Sequence, residues 1–334
     1  MTTAYTWAPA PAHEYPDHPE RPARLAELEG RLDSFHAQRL EAAPATRDEV
    51  ARVHAPSMIE AVEAACRAGG GMIDYAPTFV TPTSFDDALL ASGGTLGGAR
   101  AVWAGEAANA FALVRPPGHH AEPARAMGFC LFNNAAIAAR DLLARGAGRV
   151  LVADYDAHHG NGTQAAFWNE ERLAYLSTHQ WGIYPGTGRM DDAPHARGRL
   201  VNVPLPAYAG DACFAQIAEK IIKPTVESFR PQMMLVSAGF DSHWDDPLTS
   251  LGLSSAGFYA VSKRLVELAG EFCGGKIAFV LEGGYRPRNV ANGAAAVFAA
   301  LTGEAFVDPG DKSPHREPDI AKMMEAIRAW HGFG

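Results

Sequence analysis

Short apolar runs alternate with longer, alanine-rich stretches of helical character along most of the 334-residue chain. Short runs that are apolar throughout are typical of strands buried on both faces, and their alternation with helices is typical of a parallel sheet covered by helices. We predict strands at Ala110–Val114, Val150–Ala153, Leu173–Ser177, Met233–Ser237 and Ile277–Leu281. The pattern therefore predicts an α/β fold around a mostly parallel central sheet.

Helical periodicity predicts the elements that cover this sheet. We expect helices at Ala23–Arg39, Pro56–Ala68, Phe85–Ala104, Asn134–Ala144, Cys213–Phe229, Ser255–Phe272 and Ala291–Leu301.

Near the end of the chain, Asp308–Pro318 is typical of a linker, and a short helix follows it. One face of this helix carries Ile320, Met323, Met324, Ile327 and Trp330 at helical spacing. We expect residues 308–334 to pack on the main domain, residues 1–307. A contact between subunits is the alternative.

Composition narrows the class of protein. The 38 acidic residues exceed the 29 basic ones and give a formal net charge of −9, which argues against nucleic acid as a partner and suits a cationic substrate. The apolar runs fall far short of the ~20 residues that cross a bilayer, and Met1–Tyr15 lacks a basic start followed by an apolar stretch. We therefore expect a cytoplasmic protein without a membrane partner.

The four cysteines are scattered and contain no close pair. They are Cys66, Cys130, Cys213 and Cys273. This spacing indicates neither a disulfide framework nor a cysteine zinc site, so we expect four reduced thiols.

The dense polar motifs all follow predicted strands, at the edge where open α/β sheets bind ligands. These motifs are Arg115–His120, Asp154–Gly162, Ser177–His179, Ala238–Asp241 and Glu282–Tyr285.

The second motif contains candidate metal ligands. In an extended chain, the period of two places Asp154, Asp156 and His158 on one face. Carboxylates and an imidazole suit zinc, although a polar Asp–His cluster that caps a helix would have the same pattern. Asp241 ends another apolar strand and favours the metal site. Asp156, His158 and Asp241 would leave one coordination position open for water, as a catalytic zinc needs.

Two further motifs carry groups suited to proton transfer and hydrogen bonding. His119 and His120 are either structural or, beside a metal site, an acid–base pair. Asp154 and Asn161 are the candidates that would fix their tautomers. Tyr285 follows two glycines and is either a core residue or an O–H donor to an oxyanion.

Six motifs in this order resemble the zinc-dependent histone deacetylase superfamily, which includes bacterial deacetylase-like amidohydrolases and acetylpolyamine amidohydrolases. They are Arg115–His120, Gly128–Asn134, Asp154–Gln164, Tyr184–Gly188, Ser237–Pro247 and Leu281–Tyr285. The resemblance extends from about His18 to the helix after Tyr285. It implies the arginase–deacetylase fold, a single α/β domain.

The resemblance implies a role for each matching residue. Asp156, His158 and Asp241 would bind one zinc, and His119 and His120 would be the tandem histidines, with Asp154 behind the first and Asn161 behind the second. Tyr285 would be the catalytic tyrosine.

The resemblance also implies how substrate and a second ion are bound. Phe129 and Tyr184 would wall a narrow acyl-lysine channel, and Tyr184 would add a hydroxyl where phenylalanine is commoner in the family. The Gly128 carbonyl would accept the substrate amide, and Arg21 would lie beneath the site near an acetate-release cavity. A potassium ion would bind carbonyls of Asp154, Asp156, His158, Ser177 and Thr178.

These observations lead to one main hypothesis and three alternatives. The main hypothesis is zinc-dependent hydrolysis of an N-acylated amine, with an acyl-lysine protein or peptide as the expected substrate. One alternative is acetylpolyamine or small-amide hydrolysis. A two-manganese site of the arginase branch needs a further acidic ligand where this chain has Gly160. A non-catalytic metal-bound sensor is the third, although such a protein would be expected to lack one of the catalytic groups. The possibility of an oligomer is left open.

Overall fold

Eight parallel strands form the central sheet of the protein, whose computed structural model describes all 334 residues. In chain order the strands are β1 (Thr3–Ala8), β2 (Gln38–Leu40), β3 (Gly71–Met72), β4 (Phe79–Val80), β5 (Asn109–Val114), β6 (Val150–Asp154), β7 (Leu173–Gln180), β8 (Leu200–Leu205), β9 (Met233–Ala238) and β10 (Ile277–Leu281). The order across the sheet is β2-β1-β5-β10-β9-β6-β7-β8. The remaining two strands, β3 and β4, form a separate antiparallel pair.

Helices cover the sheet. They are α1 (Ala26–Glu29), α2 (Arg47–Val50), α3 (Pro56–Arg67), α4 (Ser84–Ala104), α5 (Asn134–Ala144), α6 (Asn161–Phe167), α7 (Asp211–Ile217), α8 (Lys223–Phe229), α9 (Ser255–Phe272), α10 (Pro287–Thr302) and α11 (Ala321–His331). Short 3-10 turns lie at Pro22–Leu25, Leu32–Ser34 and Pro194–Ala196, and a π-helical turn at Ala218–Ile222 joins α7 to α8. None of these helices combines the length and the apolar character needed to cross a membrane.

The central strands are buried on both faces, as their apolar sequences predict. In β9, Met234 and Val236 belong to one hydrophobic cluster, whereas Met233 and Leu235 belong to another. Successive side chains of a strand point to opposite faces, so the two clusters are the cores on the two sides of the sheet. The predicted α/β fold is confirmed.

All five predicted strands are present, but the sequence missed three strands of the sheet. β1 and β8 contain polar residues such as Thr6 and Asn202 that are nevertheless buried, so neither is a continuous apolar run. β2 has only three residues and is identified by its pairing with β1. The hydrophobic pattern of three residues does not reveal that pairing.

Two helix predictions were wrong in detail. The expected helix Ala23–Arg39 is broken into short turns and ends in β2, because the chain turns back after α1 to pair with β1. The expected helix Cys213–Phe229 is interrupted by the π-helical turn before α8. Pro224 lies in the first turn of α8, where its missing N–H and its ring disfavour a continuous α-helix.

The C-terminal helix packs on the same core as α9 and α10. Ile320, Met324 and Ile327 are buried in the larger cluster, and Met323 packs against it. Trp330 is half-buried, with the Arg197 guanidinium 3.8 Å from its ring centroid. A domain boundary at residue 307 stays a prediction.

Candidate active site

Three candidate ligands meet at the carboxyl ends of β6 and β9, which are neighbours in the sheet. Nδ1 of His158 lies 3.0 Å from Oδ2 of Asp241 and 3.2 Å from Oδ1 of Asp156. Both carboxylates are fully buried. These residues form the one group of three His, Cys, Asp or Glu side chains whose ligand atoms lie within 4.8 Å of one another.

Backbone amides hold these carboxylates in place. Oδ1 of Asp241 accepts a 2.9 Å hydrogen bond from the Ala157 amide, and Oδ2 of Asp156 accepts a 2.8 Å bond from the Gly283 amide. Burial alone would lower the pKa of His158, but hydrogen bonds and charges from Asp156 and Asp241 raise it to about 10. That proton balances the two carboxylates, and a divalent cation in the same place would displace it. One nitrogen and two carboxylate ligands fit zinc.

The tandem histidines have different partners. Nδ1 of His119 lies 3.1 Å from Oδ2 of Asp154, which also accepts a 2.8 Å bond from the Tyr175 hydroxyl. Nδ1 of His120 lies 2.8 Å from Oδ1 of Asn161. The NH2 group of Asn161 donates a 2.8 Å hydrogen bond to Glu122, so the oxygen of the same amide faces His120. His120 therefore donates from Nδ1 and keeps Nε2 free as an acceptor.

The pKa values of the two histidines shift in opposite directions. Burial lowers the pKa of His119, but the charges of Asp156 and Asp154 raise it to about 10. The pKa of His120 lies well below its usual range, because of burial and then the nearby positive charges of His119 and His158. Such a pair has one protonated and one neutral member near pH 7, as acid–base catalysis requires.

Tyr285 lies at the end of a tight turn after β10. Its backbone amide donates a 2.8 Å bond to Oδ2 of Asp246. Its ring is 5.9 Å from that of Phe129, edge to face. Burial, and then the charge of Asp241, raises the pKa of the Tyr285 phenol well above its usual value. The hydroxyl therefore stays protonated and able to donate.

His120, His158 and Tyr285 line one cavity of about 270 Å³. Its lining residues are Ala76, Pro77, His120, Gly128, Phe129, His158, Tyr184, Leu248 and Tyr285. Gly128 and Phe129 have φ angles of +58° and +68°. A Cβ at Gly128 would lie 2.5 Å from Cδ2 of His120, so only glycine allows this approach. The Tyr184 hydroxyl is buried and has no hydrogen-bond partner.

The arginine placed beneath the site by resemblance requires a correction. Arg21 is exposed and precedes the turn at Pro22–Leu25. Arg24 is fully buried instead, and it donates 2.6 Å bonds to the carbonyls of both Gly284 and Glu282. It also donates to Glu20 at 2.9 Å. The local signal for Arg24 in the sequence was its spacing of four residues from the acid Glu20, with which it pairs. This spacing does not reveal the contacts with the two distant carbonyls.

Two buried carboxylates that support the site were missed. Glu282 accepts hydrogen bonds from the amides of Gly118 and His119 at 2.7 and 3.2 Å, and so holds the loop before the tandem histidines. Asp246 holds the amide of Tyr285, as described above. Both lie within the recognised motifs, but they act on backbone amides, and side-chain spacing does not reveal such contacts. An acid directly after an apolar strand was the available signal for Glu282.

Of the residues expected to surround potassium, Asp154 ends β6, Asp156 and His158 follow it, and Ser177 and Thr178 lie in the neighbouring strand β7. Asp154 and Ser177 pair across the two strands, and the hydroxyl of Thr178 donates to the Asp154 carbonyl at 3.3 Å. The potassium site itself stays a prediction.

Known proteins of one family are similar to this chain. Residues 18–301 match the model of the histone deacetylase domain. The chain is 42% identical to a probable deacetylase of Archaeoglobus fulgidus, over 81% of this chain and 77% of the relative. It is 38% identical to histone deacetylase-like amidohydrolase of Pseudomonas aeruginosa, over 98% and 86% of the two chains.

A solved structure extends the comparison to the fold. The crystal structure of the HDA15 HD domain superimposes with a TM-score of 0.89 at 33% identity, and the match covers 99% of this chain and 94% of that one. The chain belongs to the histone deacetylase family of deacetylases and amidohydrolases.

Proposed function

We propose that this protein is a zinc-dependent amidohydrolase that removes an acyl group from acyl-lysine in a protein or peptide. The observation that carries the proposal is that His120, His158 and Tyr285 line one cavity. A neutral histidine, a candidate metal ligand and a protonated phenol then face the same bound substrate.

Asp156, His158 and Asp241 are proposed to bind one zinc per chain. Zinc in this position would polarise the acyl carbonyl and lower the pKa of water. His120, neutral and with Nε2 free, accepts the proton of the attacking water. The Tyr285 hydroxyl donates a hydrogen bond to the oxyanion.

His119 completes the proposed proton transfers. Asp154 holds its Nδ1 and favours its charged form. Burial and then the positive charge of His119 keep the pKa of His120 low. A protonated histidine of the pair then gives its proton to the leaving amine. The products are a carboxylate and a free amine.

A second metal of the arginase type is disfavoured by the space around Gly160. A Cβ there would lie 2.3 Å from the Tyr175 hydroxyl and 2.6 Å from Oδ2 of Asp154. An acidic side chain at this position would therefore collide with Asp154, the partner of His119, and with Tyr175, which donates to Asp154. This packing supports a mononuclear site.

The cavity lining supports acyl-lysine over acetylpolyamine. Apart from His120, His158 and the hydroxyls of Tyr184 and Tyr285, the walls are formed by apolar residues such as Phe129 and Leu248. Asp74, in the segment before Ala76 and Pro77, is already paired with Arg125. A lysine side chain needs an apolar slot for its methylenes, whereas a polyamine would bring a second ammonium that needs an acid.

Four further assignments are part of the same proposal. The Gly128 carbonyl accepts the substrate amide N–H, and Arg24, in place of Arg21, lies beneath the site. One potassium ion binds near Asp154. The protein acts in the cytoplasm without nucleic acid or membrane as partner, although the names of two plant relatives of similar identity call them chloroplastic.

The experiment is hydrolysis of a matched panel, with and without zinc reconstitution. The panel contains N-acetyl-lysine peptides, acetylated polyamines and small anilides. We expect the peptides to have the highest kcat/KM and the activity to depend on zinc. Higher kcat/KM for the polyamines would replace acyl-lysine by the alternative substrate. Metal-loaded protein without turnover on any amide would favour the non-catalytic sensor.

A further inference from the structure

The segment that follows the matched domain contacts the loop that carries Asp241. We call residues 241–248 the Asp241 loop. The main-chain carbonyl of Asp311 accepts a 2.7 Å hydrogen bond from Nε1 of Trp244 in this loop. Its carboxylate lies 3.1 Å from Nε2 of His243, and it accepts a 2.9 Å bond from the Ser255 amide at the start of α9. Asp311 therefore joins the C-terminal segment both to the loop and to α9.

The tautomer of His243 is fixed by its other ring nitrogen. The backbone amide of Asp245 donates a 3.1 Å bond to Nδ1 of His243, and the side-chain amide of Asn289 lies 3.0 Å from the same atom. A backbone N–H can only donate, so Nδ1 is an acceptor and the proton is on Nε2. His243 is 1% exposed, and Asp311 is the acceptor for that buried N–H.

The Asp241 loop joins His243 to the catalytic tyrosine. Asp246 directly follows Asp245, whose amide donates to His243. Its carboxylate accepts bonds from the amides of Tyr285 and Leu248, at 2.8 and 2.9 Å. The position of this carboxylate therefore sets where the Tyr285 backbone lies, and Tyr285 contributes its hydroxyl to the cavity.

We propose that Asp311 is a positioning residue that acts through His243 and Asp246 on Tyr285. Without the Asp311 carboxylate, the buried Nε2–H of His243 has no acceptor, and a buried unpaired donor is costly. A shift of the proton to Nδ1 would remove the unpaired Nε2–H, but the new Nδ1–H would then face the N–H donor of Asp245. Either response displaces the turn that holds Tyr285. This inference rests on the proposed role of Tyr285.

The matched control for Asp311 is Glu317, an acid of the same C-terminal segment. Glu317 accepts backbone bonds from Gly210, Ala212 and Cys213 at the start of α7, and none of its hydrogen bonds reaches the Asp241 loop. Replacing either acid removes comparable bonds between this segment and the domain. Only one of the two replacements should alter the site.

The test compares Asp311→Ala with Glu317→Ala in the zinc-loaded protein of 334 residues. We expect Asp311→Ala to lower kcat roughly tenfold, the rate equivalent of about one buried hydrogen bond, with KM and zinc content nearly unchanged. Glu317→Ala should keep kcat within about twofold of the wild-type value, even if its melting temperature falls as far as that of Asp311→Ala. Equal losses of kcat in the two variants would overturn the proposal.

Asp311→Asn guards against misfolding of the alanine variant. An amide has the same size, but in either orientation its NH2 group faces a donor, either the Ser255 amide or Nε2 of His243. We expect kcat to fall with KM nearly constant. An unchanged kcat in this variant would overturn the proposal.

A double-mutant cycle separates the positioning role from a general loss of order. In a Tyr285→Phe background, Asp311→Ala should lower kcat by less than about twofold, because the hydroxyl that it positions is already absent. If the double variant instead loses kcat by the product of the two single-variant factors, the proposal is overturned. If Tyr285→Phe alone leaves kcat unchanged, it is the proposed function that fails, and the comparison with Glu317→Ala still decides whether Asp311 affects the site.

Discussion

The guanidinium carbon of Arg24 lies 5.1 Å from the centroid of the Tyr285 ring, in cation–π contact with it. The same guanidinium binds the carbonyls of Glu282 and Gly284, which precede Tyr285 in the chain. One buried cation thus supports both the ring and the turn that carries it.

We therefore expect Arg24 and Arg21 to respond very differently to replacement. Arg24→Ala should lower the free energy of unfolding by about 3–5 kcal/mol, as for other broken buried ion pairs, and should also lower turnover. Arg21→Ala should change the free energy of unfolding by no more than about 0.5 kcal/mol, because the Arg21 side chain is exposed. Urea unfolding and steady-state kinetics of both variants measure this. A larger effect at Arg21 would contradict the assignment.

The contrast between these arginines shows what the sequence could supply. Strands such as β10 were predicted because their residues are apolar on both faces, and the candidate metal group because strand ends of a parallel sheet meet at one edge. Arg24 was missed because its partners are backbone carbonyls 258 and 260 residues further along the chain. The sequence pattern does not reveal such contacts, and the same holds for Asp246 at the Tyr285 amide.

The metal prediction concerns stoichiometry. Elemental analysis of the reconstituted protein should give about one zinc per chain. Asp241→Asn should lose most of that zinc, because it removes one of the two buried anions around His158. Asp245→Asn in the same loop is the control and should keep it, because the Asp245 side chain is exposed and pairs with Arg286. Two tightly bound metals per chain would contradict the mononuclear site.

The hydroxyl of Tyr285 is expected to act in turnover. Tyr285→Phe should lower kcat about 100- to 1,000-fold, or roughly 2.7–4 kcal/mol, with zinc content and substrate binding nearly intact. Tyr184→Phe is the matched control from the same cavity. Its hydroxyl has no hydrogen-bond partner, so its removal should change kcat little. Unchanged turnover in Tyr285→Phe would remove this residue from the mechanism.

Stability should fall as the pH drops below the ordinary range of histidine. Burial lowers the pKa of His54 from 6.5 to about 4, and its Nε2 accepts a 2.8 Å bond from the Asn133 amide. A histidine with a depressed folded pKa contributes stability above about pH 6.5 and loses it as the pH falls toward 4, because only the unfolded chain takes up the proton. The loss is at most about 3 kcal/mol, at 1.36 kcal/mol per pKa unit.

Urea unfolding between pH 7 and pH 5 measures this dependence. This range lies mostly above the ordinary titration of carboxyl groups. His54→Gln keeps an acceptor oxygen but cannot take up a proton. Its free energy of unfolding should therefore depend less steeply on pH than that of the wild type, by the equivalent of up to about one proton. Identical slopes for the two proteins would show that His54 does not titrate as described.

The shape of the cavity predicts which amides are cleaved. Phe129 and Tyr184 both line it, and we expect them to form a slot for a slender aliphatic stem whose charged or peptide end stays outside. Each methylene gains roughly 0.8 kcal/mol on burial, so a linear acyl-lysine side chain is favoured and amides branched near the carbonyl are not.

Phe129→Ala should therefore weaken the preference for linear N-acyl-lysine over bulky anilides. We expect kcat/KM for the linear substrate to fall roughly tenfold, the equivalent of about two methylenes that lose their apolar wall, while the anilides change little. Trp181→Ala is the control, because Trp181 is an exposed aromatic residue that does not line the cavity. The measurement is the ratio of the two kcat/KM values in each protein. If wild-type enzyme cleaves bulky amides as efficiently as linear ones, or if Phe129→Ala leaves the ratio unchanged, the narrow-slot interpretation is wrong and the substrate class must be sought among larger amides.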